Sequence, residues 1–309
     1  MEGKTLIAHI EHYGKGEGMK QIAVVSGKGG TGKTSIAASF ASLNAKSVIA
    51  DCDVDASTLH LLLNPKVLDQ QEFRGSKLAS IYKEKCIECM ACQSACRYGA
   101  IRELRVDPFL CEGCGLCAYI CPKGAIELKE KVSGYLYISE TRYGPMSHAR
   151  LGAAEANSGK LVTLVRQRTI ALAKERDLDL IIIDGPPGIG CPVIATITGV
   201  DFAVMVAEPT FSGLHDLRRL KGLVEYFRVK PLVIVNMYDL NEENTARIID
   251  FCKAEGIEFL AKIPFDSTVA DAMVLGKTVV EYSPDCEASR EICQAWNRID
   301  GFVKAIEDS

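Results

Sequence analysis

The chain has no long apolar run, no excess of positive charge and, outside one window, little cysteine. No stretch approaches the ~20 apolar residues of a membrane-spanning helix. The amino terminus lacks the continuous apolar segment of a secretory leader, so none is expected. A net charge of -4 argues against the basic footprint of a nucleic-acid-binding protein. From Ser289 to Ile306, residues Ile292, Trp296, Ile299, Phe302, Val303 and Ile306 recur at helical spacing. The opposite face mixes Glu, Asp, Arg and Lys, whereas a membrane-surface helix wants a basic one, so this helix is expected to pack on the domain. What remains is an ordinary soluble composition, 48% hydrophobic and 25% charged. Its 309 residues suffice for one large domain and a small one.

Residues 1–18 are polar and Gly-rich and read as an extension or tag. Beyond Met19, short continuous apolar runs alternate with helical patterns. Ile22–Val25, Val48–Ala50, Leu180–Ile183, Phe202–Ala207, Leu232–Val235 and Phe259–Ile263 read as strands, and Gly134–Ser139 as extended chain. Thr34–Leu43, Leu59–Leu63, Ser158–Arg176, Gly213–Phe227 and Glu242–Ala254 read as helices. Strands that are apolar throughout, alternating with helices, imply an α/β fold: a mostly parallel sheet covered by helices on both faces. A cysteine-rich segment, 81–134, interrupts the alternation and reads as a small inserted α+β domain. The body is then discontinuous, 19–80 and 135–309.

Gly27-Lys28-Gly29-Gly30-Thr31-Gly32-Lys33-Thr34, followed by Ser35, fits the phosphate-binding loop G-x-x-x-x-G-K-[ST]. Its glycines let backbone N–H groups close around phosphate, Lys33 reaches the outer phosphates, and the Thr34 hydroxyl suits Mg²⁺. The helix that follows offers its positive end to the same anion. Asp51 and Asp53 follow one strand and Asp184 closes another, at the carboxyl ends where ligands of parallel sheets gather. Asp51 also reads as a helix cap. Three loops are candidates to report nucleotide state: Glu208–Gly213, Asp184–Gly190 and Ser147–Lys160, the last equally readable as a solvated connector.

Lys28, ahead of Gly29-Gly30, resembles the deviant Walker A loop of the MinD/ParA-like ATPases, a P-loop superfamily that includes the nitrogenase iron protein. The resemblance spans about Met19 to Tyr282. It implies ATP hydrolysis in a nucleotide-dependent homodimer, with Lys28 reaching the partner's phosphates. It also implies that Asp53 positions the attacking water, that Asp51 supports Mg²⁺ or its waters, and that Asp184 is the Walker B carboxylate. The positions matching Asn236, Pro264 and Asp266 contact adenine in that family. Asn236-Met237-Tyr238-Asp239 also resembles a degraded guanine box, N-K-x-D, without its lysine.

Of 13 cysteines, eight lie between Cys86 and Cys121. Cys86, Cys89, Cys92 and Cys96 read C-x2-C-x2-C-x3-C; Cys111, Cys114, Cys117 and Cys121 repeat it, followed by Pro122 where the first half has Arg97. This resembles the ligand run of a bacterial-type ferredoxin with two [4Fe–4S] clusters, in which the fourth cysteine of each run serves the other cluster. Cys86, Cys89, Cys92 and Cys121 are then one ligand set and Cys96, Cys111, Cys114 and Cys117 the other. A zinc module is the alternative use of paired C-x2-C. Thiolate clusters need a reducing compartment, so the cytoplasm is expected. Cys191 lies seven residues after Asp184. It reads as a buried thiol or, by analogy with the nitrogenase iron protein, an interface thiol. Cys52, Cys252, Cys286 and Cys293 read as packing residues.

The expected protein is therefore an ATPase that binds ATP, Mg²⁺ and two [4Fe–4S] clusters and couples a dimer switch to electron transfer toward a redox partner. The alternatives are an iron–sulfur cluster assembly or carrier ATPase with a client protein, and a MinD-like positioning ATPase. Neither a membrane anchor nor a nucleic-acid partner is expected.

Overall fold

The computed structural model describes residues 18–307 other than 45, 153, 154 and 156. The expected extension, 1–18, lies outside the described residues except for Gly18. Thirteen strands are described: β1 (Lys20–Ser26), β2 (Ser47–Asp51), β3 (Lys66–Phe73), β4 (Ser76–Ile81), β5 (Ile101–Arg102), β6 (Arg105–Val106), β7 (Ile126–Lys131), β8 (Gly134–Thr141), β9 (Gly144–Leu151), β10 (Leu180–Pro187), β11 (Phe202–Ala207), β12 (Lys230–Asn236) and β13 (Glu258–Ile263). The helices are α1 (Lys33–Leu43), α2 (Leu59–Leu63), α3 (Ala91–Ala95), α4 (Leu116–Tyr119), α5 (Ser158–Arg176), α6 (Cys191–Ile197), α7 (Phe211–Tyr226), α8 (Glu242–Ala254), α9 (Ser267–Val274), α10 (Val279–Tyr282) and α11 (Glu287–Glu307).

Nine strands form one sheet in the order β13-β12-β11-β1-β10-β2-β9-β8-β3. From β13 to β9 every pair is parallel; β8 and β3 add an antiparallel edge. The central parallel strands β1, β10 and β11 are buried over nearly their whole length because both faces are covered. Along β1, Ala23 and Val25 point to one core while Ile22 and Val24 point to the other; Ile181 and Ile183 against Leu180 and Ile182 do the same along β10. Helices α5 to α8 cover the first face, and α1, α2, α9, α10 and α11 the second. Phe40 of α1 meets Trp296 of α11 with ring centroids 5.3 Å apart.

The chain leaves the large sheet after β3 and returns at β8, with Phe73 and Gly134 as register partners. Between them lie two small antiparallel sheets, β4-β7 and β5-β6, around a minor core of Ala79, Cys92, Ile101 and Ile126. β4 pairs with β7 along its whole length, from Ser76↔Lys131 to Ile81↔Ile126. It therefore belongs to the excursion, whereas the sequence placed 76–80 in the body. A second correction concerns the expected loop Ser147–Lys160. Its start is the end of β9, with Ser147 and His148 buried in the sheet, and its end is the first turn of α5. Its small polar residues resemble a connector, but pairing with β2 and β8 supplies their backbone partners. No helix among the described residues is long and apolar enough to cross a membrane. Ile292, Trp296, Ile299 and Val303 of α11 are buried against the sheet.

Candidate functional site

Strand register assembles the phosphate-facing end. β1 neighbours β10, which neighbours β2, and Asp184 is the register partner of both Val24 and Asp51. The loop after Ser26 therefore lies beside both acidic strand ends. Two of its glycines are required by contact. A Cβ on Gly27 would lie 2.4 Å from Asp216 Cβ. Gly32 has φ +84° and no room, since a Cβ there would lie 2.3 Å from Asn236 Nδ2.

Lys33 Nζ donates to Asp53 Oδ2 at 2.8 Å, and both side chains are largely buried. Burial alone would lower the lysine pKa, but Asp184, Asp53 and Asp51 together raise it. Both oxygens of Asp51 are engaged: Oδ1 accepts from Asp53 N at 3.1 Å and Oδ2 from Ser57 Oγ at 2.7 Å. Burial, then the neighbouring Asp184, push its carboxyl up to about 8. Asp184 differs. Its two oxygens are buried and no donor meets hydrogen-bond geometry with either. Burial pushes it up to about 6, while Lys33 and the nearby Thr34 hydroxyl favour its charged form. A buried carboxylate with free lone pairs beside a threonine hydroxyl is a donor set that fits Mg²⁺, a hard cation that takes oxygen ligands. The Thr31 hydroxyl is likewise buried and unpaired beside the loop. The Ser35 hydroxyl turns away to Met273 Sδ at 3.6 Å.

Lys28 is held by its own chain. It forms an ion pair with Glu208 and donates to Ser212 Oγ at 3.0 Å and Thr210 Oγ1 at 3.5 Å. Asn236 Nδ2 donates to Thr31 O at 2.9 Å and so braces the phosphate loop. Asp266 caps α9, accepting from Thr268 N at 2.9 Å, and Asp239 Oδ1 accepts from Phe265 N at 2.7 Å. One Asp239 oxygen thus braces the loop that contains Pro264. Sequence reasoning missed Ser57, which carries no motif, and the Glu208 pairing, which depends on strand order.

The cysteines divide into two cavities. Cys86, Cys89, Cys92 and Cys121 line one of about 20 Å³. Cys96, Cys111, Cys114 and Cys117 line another of about 550 Å³. Each run contributes its fourth cysteine to the other's cavity. Among the described residues no three His, Cys, Asp or Glu side chains gather closely enough to hold one metal ion. A [4Fe–4S] cluster takes one thiolate per iron, and four cysteines line each cavity. The backbone adds a second observation. Glu88 and Met90 have φ of 55° and 59°, and the matching Gly113 and Gly115 have 61° and 83°. Left-handed turns of this kind aim N–H groups into an anion-binding concavity. Glu88 N donates to Cys86 Sγ at 3.4 Å and Ala125 N to Cys121 Sγ at 3.3 Å. Cys191 is exposed at the start of α6, not buried; Cys52 and Cys252 are buried.

The family described as the CobQ/CobB/MinD/ParA nucleotide binding domain matches residues 22–279. An uncharacterized protein of Methanocaldococcus jannaschii is 33% identical over 286 residues, 92% of this chain and 97% of that protein. An iron-sulfur cluster carrier protein of Pyrococcus abyssi is 29% identical over 150 residues, 44% of this chain and 51% of that protein. Among solved structures, the cell division ATPase MinD of Pyrococcus furiosus superposes with a TM-score of 0.58 at 18% identity, over 92% of this chain and 99% of that one. That likeness is one of fold.

Proposed function

The chain belongs to the CobQ/CobB/MinD/ParA nucleotide-binding domain family, and on that premise we propose that it is an ATP-hydrolysing iron–sulfur protein in which nucleotide state is coupled to electron transfer. The observation that carries the reading is the sorting of eight cysteines into two cavities of four, in a chain whose first strand opens into a phosphate loop.

The residues divide the work as follows. Asp53 is ion-paired with Lys33. An incoming phosphate competes for the same ammonium. As Lys33 turns to the phosphate, Asp53 is released to orient the attacking water. Asp184 and Thr34 would hold Mg²⁺, which supplies charge neutralisation at the phosphates. Asp51 supports that arrangement from behind through Asp53 N and Ser57. Lys28 leaves Glu208 to reach a partner's phosphates when two copies close, so that positive charge arrives only on assembly. Asn236 keeps the loop in shape. Asp239 already accepts from Phe265 N, and the guanine box lacks its lysine, which favours ATP. The cysteine sets would hold two [4Fe–4S] clusters, which supply one-electron chemistry.

The test is direct. Protein purified without oxygen should contain about eight iron atoms, following the four-iron composition of each cluster, and should hydrolyse ATP. Lys33→Ala should lower turnover at least a hundredfold while retaining the iron. Unchanged turnover would remove the site, and zinc in place of iron would remove the redox reading. A cluster-carrier role is the second reading. It is favoured by exposed Cys89 and Cys114 and by the Pyrococcus abyssi relative. Loss of colour to an apo-ferredoxin, in step with its reconstitution, would select it. The MinD-like positioning role has less support, because the apolar face of α11 is packed on the sheet and is not free to lie on a membrane.

A further inference from the structure

We propose that the start of α5, with Glu155 and Asn157 just before Ser158 and Gly159, is the joint that passes nucleotide state from the phosphate-facing loops to the cysteine-bearing excursion. The inference rests on the proposed function and names the residues that would do the coupling.

On one side the joint grips the base of the excursion. The Asn157 side chain donates to Gly75 O at 2.8 Å. Glu155 accepts from Ser76 Oγ at 2.8 Å with one oxygen and pairs with Lys131 at 2.6 Å with the other. Ser76 and Lys131 are the first register pair of the small sheet, so one carboxylate holds both strands where they emerge. Ser133 ties them again, its hydroxyl 2.6 Å from Ser76 Oγ and its N–H donating to Phe73 O at 2.7 Å. A cavity of about 250 Å³ lined by Gly75, Lys131, Glu155, Asn157 and Cys111 places a candidate cluster ligand on the wall of this joint.

On the other side the same turn touches both acidic loops. Gly159 lies against Cys191, where even a Cβ on the glycine would be 3.2 Å from the cysteine Cβ. Cys191 opens α6 directly after the loop that follows Asp184. The Ser158 side chain lies close enough to the Asp55 carboxylate, two residues beyond Asp53, to favour its charged form. Leu151 N donates to Val54 O at 3.1 Å, fastening the end of β9 to the same loop. Asn157 itself has φ 75° and ψ 30°, a left-handed conformation uncommon outside glycine. Here its side-chain bond to Gly75 accompanies that backbone. A displacement of either acidic loop on nucleotide binding therefore reaches the helix start by contact. From there it reaches Gly75 and the Ser76–Lys131 pair, as coupling through packed elements requires.

The experiment is amide hydrogen exchange of the iron-loaded full chain over residues 73–77 and 131–134, with and without Mg²⁺ and a non-hydrolysable ATP analogue. In the wild-type protein the analogue should change exchange in both segments at least threefold. Asn157→Gly keeps the left-handed backbone and removes the bond to Gly75; Glu155→Gln removes the charge that joins the two strands. Each should retain iron and hydrolyse ATP within twofold of wild type, yet lose most of the exchange response. Variants that respond like the wild type would overturn the joint and leave the proposed function standing. A wild-type hinge indifferent to nucleotide would also overturn the joint. If the electron paramagnetic resonance of the reduced clusters were indifferent as well, the coupled reading of function would go with it.

Discussion

Asp184 is the carboxylate at the phosphate end whose two buried oxygens no donor meets. A buried carboxylate with both oxygens unpaired is destabilising while it is charged. Its folded pKa, about 6, lies above the ordinary 3.8. The stability this group permits is full below about pH 4 and is lost as pH rises through 6, so at pH 7.5 the whole cost is present. Asp184→Asn should therefore stabilise the nucleotide-free protein at pH 7.5 by about 1–2 kcal/mol. The same change should abolish the thermal shift given by Mg²⁺-nucleotide. A variant melting below wild type, or one still stabilised by Mg²⁺-nucleotide, would show that the carboxylate is not waiting for a cation. His148 makes the opposite case. It is buried beside Tyr137, with Nε2 2.8 Å from Ser139 Oγ. Burial, then the nearby His60, lower its pKa to about 4. A depressed histidine contributes stability that is present above about pH 6.5 and is lost as pH falls toward 4, by about 3 kcal/mol in all. Urea midpoints at pH 7 and pH 4.5 should diverge less in His148→Gln than in wild type; equal divergence would acquit this residue.

At the level of elements, α11 shows how a helix that carries no candidate site residue supports the site. Its buried face of Ile292, Ala295, Trp296, Ile299 and Val303 closes one side of the sheet and packs on α1, the helix that begins at Lys33. Ile299 is fully buried, so Ile299→Ala should lower unfolding free energy by about 2–5 kcal/mol, read from urea titration. A loss under about 1 kcal/mol would mean that the helix is not docked in solution, because leaving such a cavity costs more than that. The edge strand β3 contrasts with it. All of its residues except Phe73 are exposed, and its register shifts between Val67 and Asp69. Bulges and edge charges such as Lys66, Asp69 and Glu72 blunt a sheet edge against pairing with other chains. Strand β3 has neither continuous apolar character nor clean alternation, which is why the periodicity argument passed over it.

For the whole molecule, the geometry of the excursion makes it separable. It leaves and returns at Phe73 and Gly134, which already face each other across β3 and β8. Replacing residues 74–133 by Asn-Gly should close an ordinary two-residue hairpin. The shortened chain should fold, bind nucleotide and hydrolyse ATP within tenfold of the parent, and carry no iron. Failure to fold would show that the small sheets help to hold the body together.

The amino-acid order alone determined the alternating α/β pattern, the phosphate loop and the doubled cysteine spacing. Each is a local property, written in contiguous residues whose periodicity or spacing has one physical use. Ser158–Arg176 and Glu242–Ala254 fold as helices with the bounds read from periodicity. Only the tertiary structure decided that Asp184 stands beside Asp51, that Lys28 pairs with Glu208, and that Glu155 holds Ser76 and Lys131 together. Those contacts join residues far apart in the chain. They depend on strand order and register, which are set by the burial of two whole faces of a sheet rather than by any stretch of sequence.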